Sequence, residues 1–139
     1  MRRANRLTIA FYVLAGVLGV AVPASANDIA VSTGAGKEVR VTTRTMLSET
    51  GCQGSYRQVD LGQPPTHGTV AIRPGRFVFK TDNPKFVACN GTEMDGTVVF
   101  YTPAAGFAGT DNFVIVVPLF SHTGKNRGSD ISTVTITVQ

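Results

Sequence analysis

The chain has 139 residues, 42% of them hydrophobic and 16% charged, and a formal charge of +4. Arg2, Arg3 and Arg6 account for three of the thirteen basic residues, so residues 27–139 hold ten Lys and Arg against nine acids, a balance of +1. A nearly neutral segment with interspersed charges lacks the basic stripe that nucleic-acid binding needs, which excludes nucleic acid as the expected partner.

In chain order, the first element is not part of a fold. The three arginines precede an apolar run from Leu7 to Val22, and Pro23 and Ala24-Ser25-Ala26 follow it. A basic head, a short apolar core and a small-x-small exit read as a secretory signal peptide over residues 1–26, cleaved before Asn27. The sixteen-residue run is shorter than the roughly 20 residues that span a bilayer, so no membrane span is expected after cleavage. Residues 27–139 are then one exported domain, periplasmic or extracellular.

Nothing in that segment reads as a helix. Runs of β-branched and aromatic residues alternate with Gly, Pro, Asn and Asp clusters, the pattern of an all-β sandwich or barrel. Residues 29–33 form a short opening strand. Over 37–45, Val39, Val41 and Thr43 alternate with Arg40, Thr42 and Arg44, which predicts a half-buried strand with the arginines in water. Residues 55–61 alternate in the same way, and 62–68, with two prolines, read as a turn. A strand pair is predicted at 68–72 and 76–80 around a turn at Arg73-Pro74-Gly75. Residues 81–85 and 89–96 carry loop signals. Residues 97–102 form the next strand, and 111–120, apolar on both faces, reads as a central strand that ends its pairing at Pro118. Residues 121–130 are the most polar loop. Residues 131–138 close the fold, with a phase shift that predicts a bulge near Ser132 or Thr133.

The joint between the strands at 97–102 and 111–120 is the most distinctive stretch, YTPAAGFAGTDNF at 101–113. Pro103 fixes φ and stops the strand that carries Tyr101. Gly106 and Gly109 permit the positive φ of a tight reversal. Asp111 can accept hydrogen bonds from nearby backbone N–H groups and brace the turn. Phe107 is expected to fold under the loop and join Tyr101 and Phe113 at the core edge. Each residue has a packing role, so this stretch reads as a structural corner.

The HGTV at 67–70, this stretch through Val117, and STVTITV at 132–138 together resemble the cadherin-like or immunoglobulin-like tandem repeats of bacterial surface proteins. The resemblance covers about residues 67–139. It implies a Greek-key β-sandwich in a surface or adhesive setting, with no enzyme activity, and a structural role for His67. Three features depart from the family pattern. There is one copy, residues 81–96 are inserted and carry Cys89, and PLFSHTGKNRG stands where relatives have an acidic turn. A calcium role is therefore not carried over.

Cys52 and Cys89 are the two cysteines, and in an oxidising compartment they point to one disulfide. A nucleophilic or metal-binding thiol is the alternative, without a C-x-x-C or a neighbouring histidine to support it. No cofactor or metal site is expected. His67 and His122 are the two histidines, and Asp82, Asp95, Asp111 and Asp130 fall on separate turns. Ser121 and Asp130 flank His122, but no G-x-S-x-G elbow accompanies them, so no catalytic residue is assigned. Asn90-Gly91-Thr92 is a glycosylation sequon that reads here as a turn.

The expected function is a non-catalytic structural or interaction module at the envelope, with an envelope protein or glycan as partner. The loop residues His122, Lys125, Asn126 and Arg127 are the candidate contacts. An adhesion or cell-wall accessory role is the nearest alternative, and a small secreted hydrolase or hydrolase inhibitor the alternative from another class. Self-association through open strand edges is a further route.

Overall fold

β-branched and aromatic residues fit a pleated, half-buried surface, and they build eight strands in the computed structural model, which describes residues 27–48, 51–121 and 123–139. The leader over 1–26 and the candidate contact His122 lie outside the described residues. The strands are β1 (Ile29–Thr33), β2 (Val39–Leu47), β3 (Gly54–Tyr56), β4 (Asp60–Gln63), β5 (Gly68–Val78), β6 (Glu93–Pro103), β7 (Gly109–Phe120) and β8 (Asn126–Val138). Helical bonding among the described residues is confined to a single 3-10 turn, Val87–Cys89, and no helix there is long and apolar enough to cross a membrane. The all-β class holds.

Two four-stranded sheets form, in the orders β1-β8-β7-β4 and β3-β2-β6-β5. β1 runs parallel to β8, whereas the other pairs are antiparallel. Their inner faces meet in one core. Val41, Val99 and Tyr101 of one sheet pack on Phe113, Ile115, Val117, Val134, Ile136 and Val138 of the other. Burying an aliphatic or aromatic side chain of this size contributes about 2 kcal/mol, so these residues fix which faces meet. Met94, Val98 and Phe79 are also buried but lie outside that cluster. Met94 and Val98 sit on the opposite face of β6, where Phe77 lies against Gly96.

Several expected elements change. Residues 55–61 do not make one strand: β3 ends at Tyr56 in one sheet and β4 begins at Asp60 in the other. The intervening chain crosses between sheets and buries Val59. Arg73-Pro74-Gly75 is not a turn. β5 runs through it, paired residue by residue with β6 from Gly68↔Pro103 to Val78↔Glu93. Proline is tolerated because β5 is an edge strand, and Gly75 serves close packing, since a Cβ there would meet Val98 Cγ2 at 2.9 Å. Residues 93–96 are strand rather than loop, extending β6 to meet β5.

The bulges also fall elsewhere. β8 starts at Asn126, so the polar loop is shorter than 121–130. Its register is continuous across Ser132 and Thr133; Ser132 faces inward while Ile131 is 55% exposed. The irregularity lies instead between Pro118 and Phe120, so pairing continues past Pro118. β2 shifts register between Arg40 and Thr42, and a one-residue shift exchanges the faces beyond it. Arg44 is thereby turned inward, opposite Thr97. Its Nη2 donates to Ser132 Oγ of the other sheet at 3.3 Å and its Nη1 to Thr42 Oγ1 at 2.8 Å.

Candidate functional site

The 101–113 corner and the end carrying Cys52 and Cys89 lie at opposite ends of the β5–β6 ladder. At the corner, Pro103 ends β6 opposite Gly68. Gly106 and Gly109 adopt φ of 76° and 131° in the connection to β7, which side chains rarely tolerate. Phe107 packs against the core edge and stacks on His67 with ring centroids 4.3 Å apart. Tyr101 and Phe113 stack at 5.9 Å.

Asp111 is 3% exposed and accepts four hydrogen bonds. Oδ1 takes the N–H of Thr66 and of Asn112, each at 3.0 Å. Oδ2 takes the N–H of His67 and the hydroxyl of Tyr101, each at 2.8 Å. Two of these partners lie 45 and 44 residues upstream, so Asp111 does more than brace its own turn. It ties β7 of one sheet to β6 of the other and to the β4–β5 connection. Burial alone would raise its pKa, but the N–H groups and the phenol outweigh it, and its pKa lies below the usual carboxylate value. Burial first, then the hydrogen bond and charge of Asp111, push the Tyr101 phenol well up. His67 Nδ1 stands 3.9 Å from Oδ1, too far for a hydrogen bond. A carboxylate offers about four acceptor positions, and all are taken, so Asp111 has no lone pair left for a substrate.

At the other end, Cys52 and Cys89 form a disulfide with Cα atoms 5.3 Å apart. It joins the β2–β3 connection to the 3-10 turn before β6. The side chain of Asn90 closes the excursion before β6, accepting from Thr81 N at 2.8 Å and donating to Thr81 O at 2.9 Å. That sequon amide is therefore engaged within the fold.

The β7–β8 hairpin stands at this same end. Ser121 N donates to Lys125 O at 2.8 Å, and Ser121 Oγ accepts from Lys125 N at 3.1 Å. Asn126 Oδ1 accepts from Gly128 N at 2.7 Å. Ser121 and Asn126 thus brace the hairpin, while Lys125 and Arg127 project into solvent. Phe120, Ser121, Thr123, Lys125, Asn126 and Arg127 line an open concavity of about 520 Å³. Asp95 is in β6, 3.6 Å from Arg76, and Asp130 is in β8, opposite Val117. Asp82 lies in the excursion before the 3-10 turn. No three His, Cys, Asp or Glu converge on a metal-sized site among the described residues.

Sequence reasoning missed a second groove beside this hairpin. Met46, Tyr56, Arg57, Gln58, Pro118 and Phe120 line about 150 Å³. Met46, Tyr56 and Phe120 stand exposed because the tertiary arrangement leaves them near strand ends, which no local pattern shows. Comparison with known proteins gave no matching family model, no matching curated protein and no matching solved structure.

Proposed function

We propose that the chain is an exported, non-catalytic β-sandwich of the immunoglobulin-like or cadherin-like Greek-key type, acting as an interaction module at a bacterial cell envelope. One observation carries this reading. The disulfide-bearing end presents an open concavity bordered by exposed Phe120, Lys125 and Arg127, whereas the most buried polar cluster, at Asp111, is saturated internally. Polar and aromatic groups on a hairpin held by a rigid scaffold are where such modules meet partners. The partner is an envelope protein or glycan, and adhesion is one form the role takes.

The test is affinity capture from an envelope extract, using the oxidised protein beside a variant whose residues 121–125 are replaced by a short neutral turn. A partner held by the first and lost by the second supports the reading. Equal retention, or none, removes it. A second reading, self-association by strand pairing, rests on β8. Strand β1 covers it only from Val134 to Val138, leaving the edge before Val134 open among the described residues. A concentration-dependent sedimentation coefficient would support that reading.

A further inference from the structure

We infer that the groove beside the hairpin receives an extended, acidic segment of a partner protein, anchored by an apolar side chain. This rests on the interaction-module reading and assigns its chemistry. Met46, Tyr56 and Phe120 are 56%, 53% and 56% exposed. They come from β2, β3 and β7, so both sheets contribute apolar walls to one groove. An anchor side chain inserted there would cover apolar surface that nothing among the described residues covers.

The backbone beside the groove is also open. β4 pairs with β7 only across Val114–Val116. From Val117 to Phe120, β7 is paired with β8 alone among the described residues. An extended segment can add to such an edge through main-chain hydrogen bonds. Pro118 has no N–H to offer, so the ladder is short and side chains carry the discrimination.

Charge selects the occupant. Arg57 borders the groove, and Lys125 and Arg127 border the adjoining concavity. None of the three has an ion-pair partner among the described residues, whereas Arg73 reaches Glu38 at 2.6 Å and Arg76 reaches Glu93 at 3.4 Å. The neighbouring Asp60 is engaged by Gln58 Nε2 at 2.9 Å. Exposed or half-exposed cations around an apolar groove complement carboxylates that flank an apolar residue. A second copy docked by the same face would oppose like charges, and a recessed groove suits a chain segment better than a flat lipid surface.

The experiment titrates the oxidised protein with a short synthetic peptide alternating Glu with Leu and Phe, followed by two-dimensional amide NMR. Controls replace Glu by Lys, or Leu and Phe by Ser. The expected result is saturable shifts at Tyr56, Arg57 and Val117–Phe120 that neither control produces. Phe120→Ser and Arg57→Ser should each weaken binding by about tenfold or more, and added salt should weaken it further. Lys125→Glu provides a second charge test on an exposed residue, with melting curves checking each variant's fold. Absent or misplaced shifts, or equal binding of the Lys peptide, would overturn the inference. So would self-association, or binding to phosphatidylglycerol vesicles, that Phe120→Ser abolishes. The two readings fail separately. An envelope partner lost with the hairpin but indifferent to Phe120→Ser removes the groove and keeps the module. A positive peptide titration with no captured partner does the reverse.

Discussion

At one end of the sandwich Asp111 gathers donors from Thr66, His67, Tyr101 and Asn112, which belong to separate stretches of chain. At the other, Cys52–Cys89 closes a 37-residue separation with one covalent bond. Both fasten loops, but they act on different states. The corner stabilises the folded chain, because the buried carboxylate and Tyr101 hydroxyl and the part-buried N–H donors satisfy one another only there. The disulfide acts mainly on the unfolded chain, by removing conformations from it. At the end fastened by hydrogen bonds the Asp111 carboxylate is saturated, whereas the end fastened covalently leaves Phe120, Lys125 and Arg127 exposed.

The strongest way to break this comparison is Asp111→Ala. It strands three part-buried N–H groups and the buried Tyr101 hydroxyl, and should cost about 5 kcal/mol. Urea unfolding should show a lower midpoint with an unchanged m-value. Reduction of Cys52–Cys89 comes next, with an expected loss of about 4 kcal/mol. Here the m-value should rise, since the released chain exposes more surface when unfolded. An unchanged m-value with faster unfolding would place the disulfide's effect in the folded state and remove the contrast.

How legible these regions are in the sequence follows from how local their physics is. Pro103, Gly106 and Gly109 answer to the φ of their own residues, so the reversal shows in a short window. Thr66 and His67 meet Asp111 only because β4 and β5 bring them there, and no local rule names them. Pro74-Gly75 carries a turn signal, yet at an edge strand facing Gly96 the same residues serve close packing. The Val41 bulge is likewise silent in the sequence, and it turns Arg44 from solvent to the sheet interface. The cysteine count, with the expectation of an oxidising compartment, made the disulfide readable. The exposure of Met46, Tyr56 and Phe120 depends on which strands end beside them, so the groove was not.

Smaller effects sharpen the corner itself. A Cβ on Gly68 would lie 2.5 Å from the ring and hydroxyl of Tyr101, so Gly68→Ala should displace the phenol and cost about 2 kcal/mol. Combined with Tyr101→Phe, the losses should fall short of additive, because both act through one hydrogen bond.

Titration should separate the two members of that bond. The folded pKa of Asp111 is depressed, so its stabilisation is complete above the usual carboxylate value near about 4 and is lost as pH falls through the lower folded value. Tyr101 is shifted the other way. Its contribution is complete below about pH 10 and is lost as pH rises through the higher folded value. Asp111→Asn should flatten the acid limb of stability against pH, and Tyr101→Phe the alkaline limb.

The smallest expected change lies at the opposite end. Lys125→Ser and Arg127→Ser remove exposed charges without ion-pair partners among the described residues, and such substitutions leave stability nearly unaltered. Their urea midpoints should match the parent protein, while capture of an envelope partner should fall. Tyr101→Phe should do the opposite, lowering the midpoint and sparing capture. That crossed pattern is what a division between a saturated joint and an open recognition end requires. A loss of stability at Lys125, or a loss of capture at Tyr101, would mean that the two ends are energetically coupled through the shared strands β6 and β7.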